Sequence, residues 1–280
     1  MDRTDRTAGI AFVKGHGTRN DFVLLPDPDG ALDLTPELVA AMCDRRSGVG
    51  ADGVLRVVRS KAEPDAASMA DQAEWFMDYR NADGSLSETC GNGLRVFARY
   101  LVDSGLAAPG GLPIATRAGV VRVDVGLAGD ITVDMGVPQV FDPSFATLAG
   151  VKHEGLRVSM GNPHLVCVTE TPVETLDLSA PPEVDDAVFP TGVNVEFVNL
   201  LDDAHAVLRV HERGVGETES CGSGACAVAA ALGVRQGVTA GEWELDVLGG
   251  RLRLALDGET GHVSLTGPAV LVAEGRWLPA

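Results

Sequence analysis

The stretch Glu219-Ser220-Cys221-Gly222-Ser223-Gly224 repeats Glu88-Thr89-Cys90-Gly91-Asn92-Gly93, 131 residues earlier in the chain. The offset persists downstream, where Ala98 falls on Ala229, Gly119 on Gly250, Arg122 on Arg253 and Gly136 on Gly267. Between these, the alternating run Val121-Arg122-Val123-Asp124-Val125 falls on Leu252-Arg253-Leu254-Ala255-Leu256, so spacing and period-2 pattern agree. Taken singly, each Gly-rich hexapeptide is a turn. Sharing one offset, and each opening a helix, they mark a duplicated scaffold that presents two thiols.

The helix after Cys90 is read from Leu94, Phe97 and Leu101 with Val96 and Tyr100, a helical period with one buried face. After Cys221 the run Ala225 to Leu232 is small and strongly helix-forming, and it stops near Gly237. Each cysteine therefore sits at a helix N-terminus, where unpaired amides and the positive dipole end favour an anion. That anion is the thiolate or a carboxylate beside it, and a helix end is expected to draw one thiolate toward neutral pH. Two such domains facing each other would bring both thiols to opposite sides of one small acid.

At 280 residues the chain accommodates two domains of about 130 residues, each with its own core. The formal charge of −18 argues against nucleic-acid and anionic-membrane partners, and its scatter along the chain reads as solubility. No apolar run is long enough to span a bilayer, and Met1 to Thr7 lacks an apolar signal core, so a cytoplasmic protein is expected. Cys43, Cys90, Cys167, Cys221 and Cys226 form no C-x-x-C pair and no even framework; reduced thiols are expected, without structural zinc.

In chain order, strands are expected over Ile10–Lys14 and Asp21–Leu25, joined by a loop that Asn20 closes. Thr35-Pro36 reads as an N-cap with proline opening a helix to about Met42. A Gly-rich loop holding Asp52 leads to a strand over Val54–Val58. Residues 61–73 read as a polar surface insertion. Strand Trp75–Tyr79 ends in the turn Asn81-Ala82-Asp83-Gly84, and two or three strands follow the first cysteine helix. The second half begins near Gly136, with strands at Leu156–Ser159 and Leu165–Thr169 broken by Gly161-Asn162-Pro163-His164. Strands over Val193–Val198 and Ala206–Arg213 follow, the latter delivering Glu212 and Arg213 just before the second cysteine. The expected domains are 1–134 and 135–267, with 268–280 returning to the first as an extra strand.

A cysteine nucleophile for hydrolysis needs an adjacent base, for which His164 and His211 are candidates by type, and it leaves the second thiol idle. Dithiol redox chemistry favours C-x-x-C at one helix end. A non-catalytic amino-acid-binding module accounts for the Asn and Arg groups and ignores the thiols. Proton transfer at a stereocentre uses every feature: one thiolate removes the α-proton, and the opposite thiol donates to the other face.

The stretches Lys14 to Val23, Asn81 to Gly84, Cys90-Gly91-Asn92-Gly93-Leu94-Arg95, Gly161 to His164 and Cys221 to Cys226 resemble those of the diaminopimelate epimerase family over nearly the whole chain. The resemblance implies an α/β (α+β) fold of two pseudo-symmetric domains, each a barrel-like sheet around a central helix. It implies a homodimeric epimerase with no cofactor and no metal, acting on diaminopimelate for lysine and cell-wall precursor synthesis. Carried over by position, Cys90 and Cys221 are the acid/base pair, supported by His164 and Glu212. Gly91, Asn92, Gly222 and Ser223 hold the reacting carboxylate, and Asn20, Asn81, Asn162, Asn194, Glu212 and Arg213 recognise the substrate. Gly53 departs from a glutamine that many members carry, and Ala273 departs from an aromatic at their dimer contact. Proline and hydroxyproline racemases share the two-thiol logic but usually carry His where Asn92 stands.

Overall fold

The computed structural model describes residues 9–278, so the reading of Met1 to Thr7 lies outside the described residues. The chain divides into one unit of 1–133 with 268–280 and another of 134–267. The first carries β1 (Ile10–Gly17), β2 (Asn20–Pro26), α1 (Pro36–Cys43), β3 (Gly53–Arg59), β4 (Trp75–Asn81), α2 (Gly91–Asp103), β5 (Gly110–Thr116), β6 (Gly119–Val125) and β7 (Ile131–Asp134), the last ending on the boundary. The second carries β8 (Gln139–Val140), β9 (Ser144–Leu148), β10 (Val151–Ser159), β11 (Pro163–Val168), β12 (Glu183–Val184), β13 (Asn194–Leu200), β14 (His205–Glu212), β15 (Gly216–Thr218), α3 (Gly222–Gln236), β16 (Gly241–Val247), β17 (Gly250–Leu256) and β18 (Val263–Gly267). The last strand, β19 (Val270–Trp277), pairs antiparallel with β1 and so belongs to the first unit.

Strand senses repeat between the units. From β1 to β7 the first sheet runs antiparallel, parallel, antiparallel, parallel, antiparallel, antiparallel. The order β10, β11, β13, β14, β16, β17, β18 gives the same six senses. Gly91 and Gly222 open the helices, and Gly110 with Gly241 and Gly119 with Gly250 open strands at the same offset. Each helix contacts strands from both ends of its sheet, α2 touching β19, β1 and β6 and α3 touching β10, β17 and β18, so each sheet curls around its helix. This is a mixed α/β protein of two like units. Among the described residues no helix is long and apolar enough to cross a membrane.

Local chemistry explains the elements that bear on function. Thr35 caps α1 by accepting the Leu38 amide, with Pro36 at the first helical position. Helix α3 ends at Gly237, whose φ of 69° is the left-handed geometry of a helix C-cap. The β1–β2 turn is tighter than the sequence suggests, just Thr18 and Arg19, both at positive φ. Asn and Gly usually take such positions. Here the buried Arg95 of α2 donates to Thr18 Oγ1 at 3.1 Å and to the Gly91 and Pro268 carbonyls, tying the turn to the helix that Cys90 caps.

The segment 61–73 differs from its reading as a surface insertion. Ala66 and Ala73 are buried in a cluster with Val58, Phe76 and Ala115. Two 3-10 turns, Ser60–Ala62 and Ala67–Met69, position them, and alanine alone gives no periodicity by which to see it.

Candidate active site

In the first unit, β4, the turn after Asn81 and α2 bring the first cysteine motif beside the β1–β2 turn. Cys90 caps α2, its sulfur accepting the Gly93 amide at 3.4 Å. Asn20 Oδ1 accepts from the Cys90 thiol at 3.7 Å and from Asn92 Nδ2 at 3.2 Å, while Asn20 Nδ2 donates to Asp52 Oδ2 at 2.8 Å. Asp52 also takes the Asp21 amide and Arg45. Burial would push the Asp21 carboxyl up, but hydrogen bonds from Arg45 and Lys14 outweigh it and hold the pKa at about 2. This ionic cluster fixes the strand pair that carries Asn20. Asn81 ends β4 and donates its amide side chain to Ser85 Oγ at 3.0 Å. Gly53 lies opposite Asn81 in the β3–β4 register, and a Cβ there would meet the Arg80 carbonyl at 2.5 Å and the Tyr79 ring at 2.7 Å. The backbone and Tyr79 therefore exclude a side chain at Gly53, where the resemblance leads one to expect a glutamine.

In the second unit, Cys221 caps α3 in the same way, accepting the Gly224 amide at 3.4 Å, with Ser223 Oγ 3.6 Å from the sulfur. Asn162 donates to Ser223 Oγ at 3.4 Å and meets His164 Nε2 through Oδ1 at 3.1 Å. His164, wholly buried on β11, places Nδ1 2.6 Å from Glu196 Oε1 on β13. Asn194 donates to the Pro163 carbonyl at 3.2 Å and accepts the Arg213 amide at 2.9 Å, so both ends of its side-chain amide brace the site loops. The Arg213 side chain is held by Thr191 and makes no ion pair among the described residues. Glu212 ends β14 and accepts from Thr218 Oγ1. Thus Cys221, Ser223, Asn162 and His164 form one connected group, with Asn194, Arg213 and Glu212 at the ends of the neighbouring strands.

Of the two helix-capping thiols, one of which is expected to be drawn toward neutral pH, Cys221 is not that one. Burial, then Glu212 and Glu196, push its pKa well above the ordinary cysteine value, outweighing the Ser223 and Gly224 hydrogen bonds. Cys226 is wholly buried in the core around α3, and among the described residues no disulfide joins any of the five cysteines. Three groups were not singled out by sequence: Glu196, Arg95 and Asp52 in its role as partner of Asn20. A signal existed for Glu196, which lies two residues beyond Asn194 on one strand and so shares its face.

Two like α/β units, each curled around a helix capped by a thiol, define a fold also found in racemases. A crystal structure of a probable proline racemase from Agrobacterium radiobacter K84 matches with a TM-score of 0.66 at 14% identity, covering 95% of this chain and 92% of that one. A family model described as diaminopimelate epimerase matches residues 12–141 and 156–272. The diaminopimelate epimerase of Streptomyces coelicolor is 51% identical over 276 residues, 96% of this chain and 95% of the relative. That of Thermobifida fusca is 53% identical over 270 residues, 95% of this chain and 97% of the relative. The chain belongs to the diaminopimelate epimerase family and is an isomerase.

Proposed function

We propose that the protein interconverts LL- and meso-2,6-diaminopimelate without a cofactor, Cys90 and Cys221 exchanging protons with one α-carbon. What carries this reading is the matched pair of half sites, each a cysteine capping a helix with its sulfur 3.4 Å from an amide three residues on. Inversion at carbon needs one group to take a proton and another to deliver one to the opposite face. Burial, which raises the Cys221 pKa, favours it as a thiol and as the acid in the forward sense; Cys90 serves as the base. The α C–H bond breaks toward Cys90, whose sulfur gains the proton. The Cys221 S–H bond then breaks toward carbon, giving the inverted centre and a Cys221 thiolate, from which the reverse reaction starts.

Charge that develops at the α-carbon spreads into its carboxylate. The amides of Gly91, Asn92, Gly222 and Ser223 lie in the first turns of α2 and α3, at the positive ends of the helix dipoles, and are suited to hold it. Arg213 suits the distal carboxylate through its planar fork. Asn20, Asn81, Asn162 and Glu212 meet the amino and carboxyl groups, while Asn194 holds Arg213 and His164 stands behind Asn162. The proposed setting is a cytoplasmic homodimer that serves lysine and peptidoglycan precursor synthesis.

The test is incubation with LL-diaminopimelate in deuterated water, with L-proline as control. Wild type is expected to give meso product labelled at the inverted carbon and to leave proline untouched. Cys90→Ala and Cys221→Ala should each lose about 10²–10⁴-fold in rate. Full turnover in either variant, or racemisation of proline at a comparable rate, would overturn the reading.

A further inference from the structure

The two cysteine motifs differ in what stands behind them. In the first, the parallel register sets Phe22 on β2 opposite Gly53, and Leu55 lies two residues beyond on β3. In the second, His164 on β11 lies opposite Asn194, with Glu196 two residues beyond on β13. A Cβ at Gly93 would meet Leu55 Cδ2 at 3.3 Å and Phe22 Cζ at 3.6 Å; a Cβ at Gly224 would meet Glu196 Oε1 at 2.6 Å. Behind the first thiol motif the wall is apolar. Behind the second it is a histidine and a carboxylate, both wholly buried.

The structure assigns to Glu196 the role of a positioning residue: it holds His164 as an Nε2–H donor and so fixes the direction of the hydrogen-bond chain through Asn162 and Ser223 to the Cys221 sulfur. The inference rests on the reading of Cys221 as a proton-transfer group. Glu196 Oε2 has no hydrogen-bond partner among the described residues, so a lone carboxylate there would be costly. The cost is avoided when His164 and Glu196 together carry no net charge. A hydrogen on Oε2 would have no acceptor there, which leaves the neutral arrangement with one proton between Nδ1 and Oε1, 2.6 Å apart, and one on Nε2. With Nε2–H donating, Asn162 presents Oδ1 to the imidazole and its amide hydrogens to Ser223. Ser223 Oγ, having accepted, turns its own hydrogen toward Cys221, where a thiolate forms each time that residue gives up its proton. Were Nε2 bare, Asn162 would turn over, Ser223 would donate to it, and the sulfur would lose that donor. Burial of Glu196, which pushes its pKa up despite His164, favours the neutral pair.

The experiment combines kinetics with nitrogen-15 NMR of histidine-labelled protein, the His164 signals being assigned by their absence in His164→Gln. Wild type should show a hydrogen on His164 Nε2, a readout independent of turnover that stands or falls apart from the substrate assignment. Glu196→Leu copies the wall of the first half site and should free the tautomer, lowering kcat about 10²-fold with much less change in KM. Glu196→Gln can donate an amide hydrogen to Nδ1, which keeps Nε2–H, and should hold kcat within about tenfold of wild type. A bare Nε2 in wild type overturns the proposal. So does a folded Glu196→Leu with unchanged tautomer and kcat, or a Glu196→Gln as impaired as Glu196→Leu. If Glu196→Leu does not fold, the wild-type spectrum and Glu196→Gln decide.

Discussion

One substitution made at two equivalent places should give two different outcomes. Gly93 and Gly224 each occupy the third position of a helix and each donate the amide that meets the cysteine sulfur. Gly93→Ala brings a methyl to 3.3 Å from a leucine methyl, which a small rotation of Leu55 relieves. Alanine also favours the helix by up to about 1 kcal/mol, so this change should be near neutral. Gly224→Ala brings the same methyl to 2.6 Å from Glu196 Oε1, which must retreat to about 3.4 Å for ordinary contact. That oxygen is 2.6 Å from His164 Nδ1 and walled in, so the retreat stretches or breaks a buried hydrogen bond. Weakening such a bond costs about 1.5–3 kcal/mol, and overpacking a core costs about 1–3 kcal/mol. Because both variants share the helix gain, Gly224→Ala should destabilise by about 2.5–6 kcal/mol relative to Gly93→Ala, and activity should fall with it. Thermal unfolding followed by circular dichroism, beside an epimerisation assay, measures both. Equal losses in the two variants, or a larger loss in Gly93→Ala, would refute the idea that the second glycine makes room for a carboxylate.

Alkylation at mildly alkaline pH, mapped by mass spectrometry, should modify Cys90 first, since Cys226 is wholly buried and burial raises Cys43 to about 11 and Cys167 to about 12. Labelling of Cys167 or Cys226 before Cys90 in folded protein would contradict this. Asp21 is held at about 2 against an ordinary 3.8, so its contribution is full above about pH 4 and is lost as pH falls through about 2. After screening at a partly exposed site, Asp21→Asn should cost about 1 kcal/mol at neutral pH and almost nothing near the folded pKa. Urea unfolding across that range checks it, and a loss independent of pH would show that the carboxylate charge is not the cause.

What could be read from the sequence was what repeats. Cys90 and Cys221 declared themselves as helix caps because the same Cys-Gly-x-Gly recurs before two different helical runs. Thr35-Pro36 announced α1 by local chemistry that needs no tertiary partner. The unread parts depend on partners far along the chain. Thr18-Arg19 carries none of the residues that signal a tight hairpin, and the anchor holding it, Arg95, lies 77 residues on. Glu196 sits in a strand buried on both faces, flanked by Val195 and Phe197, where alternation has nothing to alternate with. Ala66 and Ala73 are core residues in a stretch whose composition reads as solvent-facing.

The pairing of β19 with β1 also orders events in time. A ribosome delivers the strands from β8 to β18 in one uninterrupted length, but the sheet around α2 waits for the last strand of the chain. Until Val270–Trp277 emerges, β1 is an open edge, and Arg95 lacks the Pro268 carbonyl that helps hold it against Thr18. Asn20 and Cys90 thus belong to the sheet that closes only after the whole second unit has been delivered, and a nascent chain cut short before Val270 would lose the strand that closes it.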